Sequence, residues 1–163
     1  MTFCLFGSLP EWKLADNLTT AGKAFRESDR ILDAAKAGPT WLKDPRVANA
    51  VVETLRAAHH DRGLCEIVGY VVMSNHVHLL MKPKVPLAEV MKWIKGVSAR
   101  KANEILRRTG SPFWRQESYD HWVRNWDEHL RILGYIEANP VKASLVEAPE
   151  QWPWSSAAAP RTS

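Results

Sequence analysis

The chain has 163 residues, 45% hydrophobic and 25% charged, which suits one compact core and excludes a disordered polyelectrolyte. Its 22 Lys plus Arg against 18 Asp plus Glu leave a formal net charge of +4, which permits a polyanionic partner without requiring one. Two isolated cysteines, Cys4 and Cys65, make neither a disulfide framework nor a zinc pattern, so a reducing, cytoplasmic setting is expected. Met1 to Pro10 lacks the basic start and long apolar run of a secretory leader, and no apolar run approaches the ~20 residues that span a bilayer, so no membrane association is expected.

Met1 to Leu5 reads as a short first strand, ended by Gly7-Ser8-Leu9-Pro10. Glu11 to Lys36 carries helix formers and many charges and predicts an exposed helix, broken by Gly38-Pro39. Pro45 can open the next helix, in which Val47, Val51, Leu55 and Ala58 recur at a spacing of three or four. His59-His60-Asp61-Arg62-Gly63 supplies a cationic last turn and a terminating glycine. Ile67 to Met73, β-branched and aromatic, is the clearest strand signal; Ser74-Asn75 reads as a turn, and His76 to Met81 resumes an extended pattern until Pro83 and Pro86 stop it.

Leu87 to Arg108 reads as one long basic helix closed by Gly110 and Pro112. Phe113 to Val123 has strand-like, aromatic character. Asp127 is the expected cap of a helix running to about Asn139, where Pro140 limits continuation. Trp152-Pro153-Trp154 and the Ser/Ala run behind it predict a loosely packed tail over 146–163, after a core over about 1–145. There is no internal repeat. The order of elements predicts a single α+β domain over 1–163, an antiparallel sheet with helices packed on one side.

His76-Val77-His78 is the most informative trio. Residues two apart on a strand face the same way, with Cα atoms ~6.6–6.8 Å apart, so both imidazoles leave one face while Val77 and Leu79 point to a core on the other. A lone His-x-His is as often two unrelated surface residues as a metal site. Here the pair follows a well-formed apolar strand, a rigid element of the kind that holds metal ligands in place. Tyr135 and Asn139 lie four apart and share a helix face, whereas Leu130, Leu133 and Ile136 should pack on the sheet. A local hydrogen bond for the tyrosine and a capping role for Asn139 account better for these two residues when they are read alone. Combined with the histidines they suit phosphoryl chemistry: a phenol is a weak nucleophile at neutral pH, and a cation beside it can polarise a phosphate. The imidazole pair by itself suits Zn, Mn, Fe, Ni or Cu and does not identify the metal; with the Asn139 carbonyl it makes a mixed N/O site with open positions, which fits Mg²⁺ or Mn²⁺ better than a thiolate site would.

The segment Val71-Val72-Met73-Ser74-Asn75-His76-Val77-His78-Leu79-Leu80-Met81-Lys82-Pro83 closely resembles the metal motif of the single-tyrosine transposases of the histidine–hydrophobic–histidine superfamily. Tyr135-Ile136-Glu137-Ala138-Asn139-Pro140-Val141-Lys142-Ala143 resembles their catalytic helix, and Phe113 to Gln116 with Tyr119 to Asn125 resembles the region between. Three such segments in order, spanning roughly Leu64 to Leu145, are far more specific than either short motif. Single-domain length is similar to the branch associated with repetitive extragenic palindromes (REP). Ser74 and Ser144 depart from the family, which commonly has proline and glycine there. The resemblance implies a ferredoxin-like sheet with helices, and His76, His78 and Asn139 as ligands of a divalent metal. It implies Tyr135 as the nucleophile that forms a 5′-phosphotyrosine link, and single-stranded DNA beside hairpins as substrate. It also implies action as a monomer or a homodimer.

Tyr119, beside Asp120 and His121, is the rival nucleophile, and Tyr70 reads as packing. Lys92, Lys95, Arg100, Arg115 and Arg124 are candidate phosphate contacts, with a solvated helix face as the bland reading. Trp93 and Trp114 are candidate stacking platforms. Two further functions compete with the transposase reading. One is a DNA-binding domain of this fold without chemistry, and the other is a metal-dependent phosphoesterase that forms no covalent intermediate.

Overall fold

The computed structural model describes residues 1–8, 30–32 and 38–158. The helix expected over Glu11–Lys36 therefore lies outside the described residues except for 30–32, which are helical, and so does the end of the expected tail.

Three strands form an antiparallel sheet: β1 (Thr2–Cys4), β2 (Cys65–Val72) and β3 (His76–Pro83), in the order β1-β3-β2. The turn at Ser74-Asn75 makes β2 and β3 a hairpin, with Val71 opposite His78 and Val72 opposite Val77. Thr2 stands opposite His78 and Cys4 opposite His76. Among the described residues, the α-helices that follow the helical stretch at 30–32 are α1 (Pro45–His60), α2 (Leu87–Ile105), α3 (Trp126–Glu137) and the single turn α4 (Asn139–Lys142).

Alternation along the strands decides which side each residue serves. Phe3, Tyr70, Val72, Val77 and Leu79 face the main core, where Val47, Val51, Leu55 and Ala58 of α1 and Val90, Ile94 and Ala102 of α2 close over them. The opposite face carries Val71, Met73 and Leu80, which meet Ile136 of α3. The expectation of helices on one side is thus corrected: α1 and α2 cover one face and α3 the other. The Leu133 side chain of α3 packs directly against Gly69, where a Cβ would force its Cδ1 to move aside. Leu130, expected on the sheet, is half exposed instead.

The helix ends follow from local chemistry. The Asp44 carboxylate accepts from Arg46 N–H and Pro45 fills the first helical position of α1. In α3 the cap is Asn125, whose Oδ1 accepts from Glu128 N–H, and not Asp127, which lies inside the first turn. Helix α2 stops at Ile105 rather than Arg108. Arg107 takes a left-handed φ of 55°, and Arg108 N–H reaches back to the Asn103 carbonyl, closing a Schellman turn.

The strand expected over Phe113 to Val123 is not regular. Its ends pair with β1 (Leu5 with Trp114, Thr2 with Tyr119, both antiparallel), which places it where the fourth strand of a ferredoxin-like sheet belongs. Between those bridges the Lys95 ammonium draws in the carbonyls of Arg115 and Gln116 at 2.8 and 2.9 Å and the Ser118 hydroxyl at 2.8 Å, which bends the segment out of the ladder. At the other edge, the tail expected to pack loosely is pinned to β2. Trp154 O accepts from Val72 N–H, Ser156 N–H donates to Tyr70 O, and Trp152 Nε1 donates to Val72 O. These bonds cover an otherwise open edge strand.

Candidate active site

His76 and His78 are 0% and 1% exposed and project from β3 toward the α3 side of the sheet. Their Nε2 atoms face each other at 3.1 Å. Each ring is tethered from behind: Nδ1 of His76 lies 2.8 Å from Asn75 Oδ1, and Nδ1 of His78 lies 2.7 Å from Thr2 Oγ1. Helix α3 brings Tyr135 edge-on to His78, with ring centroids 6.2 Å apart. One turn later Asn139 is fully buried, and its Oδ1 has no hydrogen-bond partner among the described residues. The Lys142 ammonium lies over the Tyr135 ring, 3.6 Å from its centroid.

This chemistry fits a hard or borderline cation. Imidazole nitrogens can present lone pairs, and a buried carbonyl oxygen without a donor is costly unless something electropositive meets it. No cluster of three or more His, Cys, Asp or Glu that could hold a metal occurs among the described residues. The 3.1 Å between the Nε2 atoms lets both face one cation, and it is equally the length of an N–H···N hydrogen bond between the rings. Cys4 stands beside His76, and burial pushes its thiol pKa up, with the nearby Arg115 and Lys95 cations opposing.

Other sequence candidates fall elsewhere. Lys95 is committed to the carbonyls of 115–117, and burial lowers its pKa from the ordinary lysine value. Trp114 is a core residue, edge-on to Phe3 and donating Nε1–H to Ser98 Oγ at 2.9 Å; it offers no open face for stacking. Trp93 packs half-buried on the main core. Arg115 pairs with Glu117 at 3.0 Å. Lys92, Arg100 and Arg124 are exposed. Tyr119, the rival nucleophile, pairs with Thr2 at the far edge of β1, and burial followed by the nearby Asp120 raises its pKa. Thr2, Asn75 and Lys142 were not among the sequence candidates. Asn75 was legible only as a turn residue, and no sequence signal links Thr2 to a histidine 76 positions away. Among the described tryptophans the open ones are Trp122 and Trp126, 70% and 67% exposed. They line a groove of about 500 Å³ with Lys82, His121, Arg124 and His129.

The family described as "Transposase IS200 like" matches residues 34–139, a span that holds both histidines, Tyr135 and Asn139. The chain belongs to this IS200-like transposase family. A Haemophilus influenzae protein described as a REP-associated tyrosine transposase is 28% identical over 102 residues, covering 56% of this chain and 58% of that protein, so the chain matches little more than half the relative's length. A solved structure of a REP-associated tyrosine transposase bound to a REP hairpin superposes with a TM-score of 0.53 at 18% identity, over 94% of this chain and 72% of that one. That likeness establishes the shared fold. No helix among the described residues is long and apolar enough to cross a membrane.

Proposed function

We propose that this chain cleaves and rejoins single-stranded DNA beside a hairpin, with Tyr135 as nucleophile. The observation that carries the reading is the meeting of Tyr135 with the imidazole pair, 6.2 Å between the Tyr135 and His78 ring centroids. In this reading His76 and His78 through Nε2, and Asn139 through Oδ1, hold a divalent cation, Mg²⁺ or Mn²⁺. When bound, such a cation supplies Lewis-acid polarisation of a phosphate oxygen.

The chain's own groups perform the transfer. The Tyr135 oxygen gives up its proton and forms a bond to phosphorus. The bond from phosphorus to the 3′ oxygen breaks, and that oxygen leaves with the electron pair and takes up a proton. The product is a 5′-phosphotyrosine and a free 3′-hydroxyl. Attack by a 3′-hydroxyl reverses the step, so no nucleotide cofactor is needed to reseal. Lys142 holds the tyrosine ring face and adds positive charge next to the incoming phosphate. Exposed Trp122 and Trp126 are the surfaces on which unpaired bases stack. The hairpin as substrate follows from the sequence resemblance and from what the structural relative binds. Both histidines, Tyr135 and Asn139 belong to one chain, so the reading needs no second copy.

The test is a denaturing protein gel after incubation with a hairpin-bearing single strand and Mn²⁺. A covalent protein–DNA adduct, absent in Tyr135→Phe, is the expected result. Binding without cleavage supports a DNA-binding domain instead. Cleavage without an adduct, unaffected by that substitution, supports a phosphoesterase.

A further inference from the structure

We propose that Asn75 and Thr2 position the two imidazoles through different devices: Asn75 fixes the tautomer of His76, and Thr2 lets His78 change tautomer when a divalent cation arrives. The proposal rests on the reading of His76 and His78 as metal ligands.

Asn75 is fully buried, and its Nδ2 donates to the Leu32 carbonyl at 3.0 Å. That bond settles which end of the amide is oxygen. The oxygen faces Nδ1 of His76 at 2.8 Å and can only accept. A neutral His76 ring therefore carries its proton on Nδ1, and its Nε2 presents a bare lone pair.

That lone pair points at Nε2 of His78, 3.1 Å away. Two bare nitrogens at this distance repel. Without a cation the pair is satisfied when His78 keeps its proton on Nε2 and donates it to His76. Nδ1 of His78 is then bare and needs a donor. With a cation bound, Nε2 of His78 must be bare, so its proton sits on Nδ1 and needs an acceptor. The Thr2 hydroxyl, 2.7 Å from Nδ1 and 7% exposed as a residue, serves both states by rotating its hydrogen. The change balances: one proton leaves Nε2 for water, one from water reaches Nδ1, and the ring stays neutral throughout. A backbone carbonyl at the Thr2 position would favour only the loaded state, and an N–H only the empty one.

Calorimetric titration of the full chain with Mn²⁺ alone tests the proposal without reference to DNA cleavage. Thr2→Val keeps the shape and removes the hydroxyl; the Nδ1–H of a cation-bound ring is the more polarised group and loses the stronger bond, so Mn²⁺ affinity should fall about 10-fold. Thr2→Ser should stay near wild type. A hydroxyl that served only packing or stability would shift the melting temperature of the metal-free Thr2→Val protein and leave its Mn²⁺ affinity unchanged, which would overturn the role given to Thr2. Imidazole ¹⁵N spectra of the wild type give a readout that does not depend on any variant folding. They should show His76 as Nδ1–H with and without Mg²⁺, and His78 moving from Nε2–H to Nδ1–H on loading; one unchanged His78 tautomer overturns the switch. A wild type that takes up Mn²⁺ no better than His76→Ala overturns the ligand assignment itself, and this proposal with it.

Discussion

His76 Nε2 and His78 Nε2 face one another across 3.1 Å, each ring held from behind by a different residue. The arrangement is buried and its backbone is fixed by pairing on both sides of β3, so either ring can be truncated without opening the sheet. Both His76→Ala and His78→Ala should abolish adduct formation while leaving affinity for a hairpin-bearing strand close to wild type. Gel-shift and cleavage assays on the same preparations check this. Normal cleavage by both variants would show that neither ring is a ligand.

Ser144 holds a left-handed φ of 55° at the end of α4, where Leu145 N–H closes on the Pro140 carbonyl. This region favours glycine, which has no Cβ to crowd the carbonyl, and the family commonly has glycine here. Ser144→Gly should raise stability by about 0.5–1 kcal/mol, the relief of left-handed strain less the added freedom of the unfolded chain. Urea denaturation measures it, and a lower midpoint would contradict the strain argument.

Trp114 is placed as a core residue rather than a base-stacking one. Trp114→Phe removes its bond to Ser98 Oγ and part of its volume, and should cost about 1–3 kcal/mol of stability with no change in strand affinity. Trp122→Ala should do the reverse, weakening strand binding and leaving stability nearly intact. Unfolding curves and fluorescence-anisotropy titrations of the two variants decide between them.

Glu128 ties the segment before α3 to the helix: its carboxylate accepts from Arg124 N–H at 2.8 Å and pairs with His121 at 3.0 Å. These partners, the Arg124 N–H first, lower its pKa from the ordinary 4.5. A lowered carboxylate pKa means stability that is fully present above the ordinary value and lost as pH falls through the folded one. The melting temperature of Glu128→Gln should therefore lie below wild type at neutral pH, with the gap closing in acid below the ordinary glutamate range. A gap that stays constant down to pH 3 would contradict the assignment.

The strands and helices with strong local signals were legible: the Val47–Val51–Leu55–Ala58 stripe of α1, the apolar run of β2, and the alternation that put Val77 and Leu79 opposite the histidines. What escaped depended on contacts between distant residues. Phe113 to Val123 has the composition of a strand, yet its carbonyls go to Lys95, a competition that no local pattern encodes. Lys95 itself looked like one more cation on a basic helix. The tail looked loose because its anchors are backbone groups of β2 more than 80 residues earlier. The histidine pair was visible because a strand period of two brings both rings to one face, whereas the helix expected to carry both Tyr135 and Asn139 ends at Glu137, and Asn139 opens the next turn, α4. The tethers on the rings were not, since Thr2 reaches His78 only once β1 pairs with β3.

The most direct test of the central claim is mass spectrometry of the trapped protein–DNA adduct after nuclease and trypsin digestion. The account predicts that the phosphonucleotide sits on the peptide Ile132–Lys142, on Tyr135. Recovery of the modification on Gln116–Arg124, which carries Tyr119, or on neither peptide, would contradict it.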